Sequence, residues 1–519
     1  MKRGIEARVM RAALASLLAL VSWPVLAQSV VVSGAPVSTS VTVYRDMGRD
    51  AGAMNLAWLN GYALISETRR ISLPAGESVV RFEGVADGMI AVSAVVSGLP
   101  GGVSEKNRDA RLLSPASLLY GSLGNRVHIR RTNPATGKVS EADAIIRSGS
   151  GGAVVLQTAE GVEALRCSGL PEALVYDAVP DGLSAKPTFS VHTNSPSATT
   201  AEVTLTYLAT GFDWSAAYVA RVAEDGKTLD LSAWLTVANG NGADYQGARL
   251  LAVAGKPNRT SDFRALGAKP EALSLALQCW PMDGTSTHPG WAPPPPPAAP
   301  PSMAYEMAVS APVPMLARMD KTGNVVAQQE DLGDLKLYRV PVPVDVVPNG
   351  QKQVALLHKD KVPFTRFYTG TVNPYDSAAS QPLGIRLRIQ NKTKDRLGVP
   401  LPSGGVIVMQ QQDGAEMLLG DAPMADKAVG ETVEIAAGQS DQVRMEQALT
   451  VTGSGLRTMR ITLSNALDVP APVEITLPEF GSYQIVSKAK LVAKGREKML
   501  TLILPANSSR AIEITYRQQ

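Results

Sequence analysis

Apolar and polar residues alternate one for one along much of the chain. Clear runs are Val203-Thr-Leu-Thr-Tyr207, Leu229–Val237, Ile385-Arg-Leu-Arg-Ile389 and Val473-Glu-Ile-Thr-Leu477. Alternation at period two places apolar side chains on one face of a strand and polar ones on the other. Asn-Gly pairs begin at Asn60, Asn239, Asn241 and Asn349, and Asp-Gly pairs at Asp87, Asp181, Asp225, Asp283 and Asp413. Both dipeptides accept the positive φ of tight turns. Many short strands punctuated this way predict an all-β protein built from antiparallel β-sandwich domains. Four segments share a strand–turn–strand outline: Ile71–Phe82, Val346–Leu356, Val433–Val443 and Leu502–Ile514. Each turns on Gly or Asn shortly after Pro or Ala, and each reads as a hairpin. Their uneven spacing excludes a solenoid.

The pattern divides the chain. Residues 28–111 read as a first β domain, with the Gly/Ala-rich stretch Asp46–Ala63 as a loop or short helix. Residues 112–184 read as a small SH3-like β module with strands Val127–Thr132, Ala142–Arg147, Ala153–Thr158 and Val162–Cys167. Residues 185–519 form the main β-sandwich domain. Alternation stops between 257 and 330, where Pro293–Pro297 and Pro300-Pro301 occur. Polyproline is extended and has no central place in a sheet. This stretch is expected to be a disordered spacer, with a short helix at Glu271–Gln278; the alternative is a ligand for a partner domain. Limited proteolysis should cut there first, and cuts elsewhere with this stretch intact would refute the assignment.

The N-terminus changes the picture of charge. Met1–Arg11 is basic, Ala12–Val21 is apolar apart from Ser16, and Val25-Leu26-Ala27 offers small residues at −3 and −1. That order predicts a secretory signal cut after Ala27. The whole chain carries 50 basic and 47 acidic residues; without the four bases and one acid of residues 1–27, 46 of each remain. A neutral chain has no global field to draw nucleic acid or acidic lipid. Aromatics make up 5% of the chain, which argues against the aromatic girdles of an outer-membrane barrel.

Candidate chemistry is sparse. Cys167 and Cys279 follow the signal and form either a disulfide or two separate thiols, since pairing depends on distance rather than on sequence spacing. His128, His192, His288 and His358 are scattered, with no HExxH and no Cys/His cluster, so no metal or other cofactor is expected. Asp331 and Asp334 read as loop charges, with a glycosidase-type carboxylate pair as the alternative. A glycan site would need an exposed aromatic platform; Trp58, Trp280 and Trp291 lie in irregular segments, whereas Trp234 sits in a strand.

One series of motifs has a familiar order. It runs Gly211-Phe-Asp-Trp214-Ser-Ala-Ala-Tyr218, Asn239, Gly242, Asp244-Tyr245, Ala248–Gly255, Asn391-Lys392 and Leu397-Gly-Val-Pro-Leu401-Pro402-Ser-Gly404. This resembles the bacterial mucoidy-inhibitor-like family, a conserved C-terminal domain of unknown function. Val41-Thr-Val-Tyr44, Leu73-Pro-Ala-Gly76 and Phe82-Glu-Gly84 resemble that family's N-terminal companion domain. Many relatives carry a long helical coiled-coil hairpin between the two, where residues 112–184 show β patterning instead. The resemblance implies a link to exopolysaccharide control and supplies no catalytic residues. Read physically, Trp214 and Tyr218 are sandwich-core anchors. Asn239 and Gly242-Ala-Asp244 read as a hairpin in which Asn and Asp bond neighbouring backbone, and Pro400-Leu401-Pro402 with Ser403-Gly404-Gly405 as an edge or bend before a strand; the alternative is a surface recognition loop. The expectation is an exported, non-catalytic envelope protein that binds or scaffolds an envelope protein or glycan. The alternative is a carbohydrate-active protein, either glycan binder or glycosidase.

Overall fold

The computed structural model describes residues 29–255, 257 and 327–518, apart from 50, 110–111, 134–135, 149–153, 165–171, 181–182, 333–334, 413, 454, 480, 482 and 495–496. The signal segment, both cysteines, Trp280, Trp291, His288, Asp334 and the proline-rich stretch lie outside the described residues.

The described residues fold predominantly as strands, in sheets of twelve, nine, five and four. The strand Thr199–Val222 organises the largest sheet. Its alternation buries Val203, Leu205, Tyr207, Ala209, Ala220 and Val222 on one side. Its first half pairs antiparallel with Gly61–Leu73 and Met89–Ser97. Its second half pairs antiparallel with Thr228–Asn239 and parallel with Gly404–Gln412. The halves meet at a β-bulge, where register shifts between Thr210 and Phe212 and Gly211 takes φ +81°. Only a residue without a Cβ adopts that angle freely, and the bulge turns the strand toward its new partners.

Strands from residues 28–111 and 185–255 are joined by backbone hydrogen bonds within the same sheets. Ser38–Tyr44 lies between Gly61–Leu73 and Tyr245–Ala254. In the four-stranded sheet Gly76–Glu83 pairs with Thr188–Ser195. Antiparallel pairing predominates but is not universal: among the described residues four strand-to-strand pairings are parallel, including Ser38–Tyr44 with Tyr245–Ala254 and Thr365–Thr371 with Ala471–Leu477. Parallel neighbours need long crossovers. Ala216 and Gly404, for instance, are partners nearly 190 residues apart, which local alternation cannot reveal.

None of the four strand–turn–strand segments is a hairpin. Gly61–Leu73 and Gly76–Glu83 join different sheets; Val344–Val346 and Gly350–Pro363 pair with different strands; so do Glu497–Leu504 and Ser508–Gln518. The segment Val433–Val443 lies within one bent strand, Thr432–Gly453. The shared outline marks a corner. Gly76, Asn349, Gly438 and Asn507 have φ of +97°, +47°, +93° and +48°. Each corner thus turns on a single left-handed Gly or Asn, the residues that tolerate that region best.

Residues 126–175 supply all five strands of a separate sheet: Arg126–Thr132, Val139–Ile146, Val155–Thr158, Gly161–Ala164 and Glu172–Val175. The fifth, Glu172–Val175, is not among the strands expected from alternation. Nor was the helix Pro115–Gly121. Ser114 caps it, accepting from the Ser117 amide while Ser117 Oγ accepts from the Ser114 amide, and Pro115 starts it. Leu119 from this helix completes a core with Val127, Ile129, Ile146 and Leu156. Asp46–Asn60 is irregular, without a helix among its described residues, and Gly61 already belongs to the next strand. No helix among the described residues is long and apolar enough to cross a membrane.

Candidate functional site

Three connecting segments converge with the Gly211 bulge around a groove of about 960 Å³. Leu56–Asn60 forms one wall, Thr210-Gly211 and Ala238–Gly240 the floor, and Asn349–Gln351 the corner opposite. Two buried asparagines hold these pieces together. Asn239 donates its amide to the carbonyls of Ala243 (3.0 Å) and Val347 (3.2 Å) and accepts from the Asn241 backbone N–H (2.9 Å). Asn241 donates to Thr210 O (3.0 Å) and accepts from Gly88 N–H (2.8 Å). The floor closes through Gly240 N–H to Gly211 O (2.8 Å) and Asn349 N–H to Asn241 O (3.1 Å). A Cβ on Gly240 would stand 3.2 Å from Leu59 Cδ1 and 3.3 Å from Gly211 O, so glycine sets the depth of the floor.

Trp58 stands in the wall, 74% exposed. Its backbone is fixed by an Asx turn: Ala57 N–H donates to Asn55 Oδ1 (3.0 Å) and Trp58 N–H to Asn55 O (3.2 Å). The polar side chains nearby are amides and a hydroxyl. None of the described residues lining the groove carries a charge.

The other motif residues lie elsewhere, and Asn239–Asp244 does not close a hairpin: Thr228–Asn239 pairs with Thr199–Val222 and Gly350–Pro363, whereas Tyr245–Ala254 pairs with Ser38–Tyr44 and Leu335–Arg339. Trp214 is fully buried, its indole N–H donating to Val253 O at 3.0 Å and its ring edge-on to Tyr338 at 5.9 Å. Tyr218 is buried and donates to Pro402 O at 2.7 Å. Gly404 lets two parallel strands close up, because a Cβ there would sit 1.8 Å from Ala216 O. Tyr245 is buried beside Phe212, while Asp244 is exposed and accepts from Gln246. Leu401 and Pro402 are buried along a smaller cleft of about 340 Å³ with Tyr338 and Lys427. There Arg45, buried, clamps Asp426 with both terminal nitrogens and donates to Ser403 Oγ at 2.7 Å. Of the motif, only Gly211 and Asn239 reach the Trp58 groove. The signal for the groove was present in the Asn60, Asn239 and Asn349 turns, but nothing local says that such turns meet.

The remaining candidates separate. Trp234 lies in a strand and is 46% exposed. Asp331 lies in the strand Gln328–Leu332 rather than in a loop. His192 faces Glu105 at 4.0 Å, and His358 lies between Ser232 Oγ (2.8 Å) and Asp360 (2.7 Å). A carboxylate pair not singled out from the sequence, Glu434 and Glu474, converges on Arg388 at 2.8 Å from each side, with Phe367 beneath the guanidinium. Burial pushes the Glu434 carboxyl up, but hydrogen bonds from Arg388 and Lys494 outweigh it and hold it below the ordinary range. A glycosidase acid needs the opposite, a carboxyl kept protonated. Glu434 is therefore suited to the ion pair and not to proton donation.

His128 is gripped by two aspartates, Asp143 at Nδ1 (2.8 Å) and Asp177 at Nε2 (2.9 Å). These hydrogen bonds, Asp143 first, raise its pKa above the ordinary histidine value. Because the folded pKa is the higher one, the clamp contributes stability fully below the unfolded histidine pKa and loses it as pH rises through the folded value. NMR titration of the His128 ring should place its midpoint above that of an Asp143→Asn/Asp177→Asn variant; equal midpoints would refute the clamp.

A scan of the chain against models of known protein families and a search of curated proteins both returned no match.

Proposed function

We propose that this chain is an exported cell-envelope protein, cut after Ala27, that binds or scaffolds rather than catalyses, and that the Trp58 groove is its ligand site. The observation carrying this reading is the lining of the groove. It joins an exposed indole to amide side chains, and its described residues include no acid, base or thiol to move a proton or attack a bond. Its size falls within the ordinary range for ligand sites, roughly 300–1,000 Å³. The basic–apolar–small order of residues 1–27 supports export. The resemblance of residues 211–255 and 391–404 to the mucoidy-inhibitor-like family hints at exopolysaccharide control. A neutral chain after cleavage favours an envelope protein or glycan partner over nucleic acid.

Two measurements test the reading. Mass spectrometry of protein recovered from an exporting bacterium should find Gln28 at the N-terminus; an exported chain beginning at Met1 refutes the cleavage. Acrylamide quenching of tryptophan emission should fall on adding one or other of two preparations, envelope polymer or envelope peptide, tested separately, with the change missing in Trp58→Phe. If neither preparation shields Trp58, the groove is not the ligand site.

A further inference from the structure

We infer that the groove takes an uncharged saccharide chain, with the Trp58 indole against a sugar face and amides on its hydroxyls. The inference rests on the groove being the ligand site and adds its chemical class. Three features of the groove carry it. The first is charge: without a cation or anion in the described lining, an acidic polymer would give up hydration with no counter-charge to replace it. The second is the mixture of surfaces. Trp58 offers a broad apolar face in the open. Asn349 and Gln351 hold exposed side-chain amides with no partner among the described residues. An amide side chain both donates and accepts, as does a sugar hydroxyl, and a pyranose carries C–H faces beside its hydroxyls. A purely apolar ligand would cover these amides without satisfying them.

The third feature separates sugar from peptide. An extended peptide is usually recognised by adding a strand to a free sheet edge. Here the floor is made of the Gly211 bulge and strand ends already paired with one another, Ala238 with Gln351 and Asn239 with Gly350, and the N–H groups of Gly240 and Asn349 are spent on Gly211 O and Asn241 O. The ladder within the floor is thus already formed between its own strand ends, so recognition falls to side chains, as suits a carbohydrate.

The test uses the full mature chain in native gels containing neutral polysaccharides (dextran, pullulan, galactomannan and xyloglucan) or the acidic polymer alginate. At least one neutral polymer should retard the protein, and alginate should not. Trp58→Ala should weaken the retardation about tenfold or more, as for an aromatic anchor at a binding centre, while Trp58→Phe should keep most of it. Circular dichroism of both variants confirms folding. Retardation by alginate equal to that by the neutral polymers, neutral binding indifferent to Trp58→Ala, or no retardation by any neutral polymer would overturn the saccharide assignment. If peptide preparations alone shield Trp58 from acrylamide, the ligand site stands and only the saccharide fails. If nothing shields it, both fail.

Discussion

Trp214→Ala is expected to lower the unfolding midpoint by on the order of 10 °C, corresponding to a loss of about 3–5 kcal/mol. Trp214 heads the largest fully buried side chains and has no exposed surface. Alanine would leave a void beside Tyr338, whose ring meets the indole edge. It would also remove the indole N–H that the Val253 carbonyl accepts at 3.0 Å. A neighbouring strand would thus lose a lateral tie as well as packing. Trp214→Phe keeps most of the ring and loses the hydrogen bond, so it should cost about 1–2 kcal/mol. Set against a total stability of roughly 5–15 kcal/mol, the alanine variant is a large perturbation. Thermal unfolding of both variants beside wild type reads the order directly. An unchanged transition for Trp214→Ala would mean that the indole does not hold these strands.

The contrast between Trp214 and Trp58 shows how far the sequence is legible. Trp214 sits in a motif followed by alternating residues, and alternation assigns a side chain to one face of a strand. The strands at Val203, Leu229, Ile385 and Val473 were readable for the same reason. Trp58 lies where alternation fails, so its exposure was an open question and its neighbours were unknown. The groove needs Gly211, Asn239 and Asn349 together, and their meeting depends on a bulge and on a corner mistaken for a hairpin. Turn chemistry at Pro348-Asn349 says that the chain changes direction. It does not say which edge the next strand will find, because that is decided by strands far away in sequence. The helix at Pro115 carried a readable start in Ser114-Pro115, but it is too short to display a helical period.

Arg69→Met should be destabilising by about 3–5 kcal/mol at neutral pH, the usual consequence of removing one member of a buried ion pair. Arg69 and Glu67 point into the same core from one strand, both almost without exposure. Arg69 donates to Glu67 (2.5 Å), Ser33 Oγ (3.0 Å) and Glu83 O (3.0 Å), tying the twelve-stranded sheet to the four-stranded one. Burial raises the Glu67 carboxyl above its ordinary range, with Arg69 pulling it back. A raised folded pKa means that the fold prefers the protonated acid, so its stability falls as pH rises from the unfolded glutamate value through the folded one. Removing Arg69 takes away the opposing pull and pushes Glu67 further up. The gap between Arg69→Met and wild type should therefore be small near pH 4 and widen toward pH 7.5. Glu67→Leu/Arg69→Met together should recover most of the loss, since an apolar pair fills the space without a stranded charge. Urea unfolding of the three proteins at both pH values checks this. A deficit independent of pH, or a double variant no better than Arg69→Met, would show that Arg69 acts through its ties to Ser33 and Glu83 rather than through the Glu67 charge.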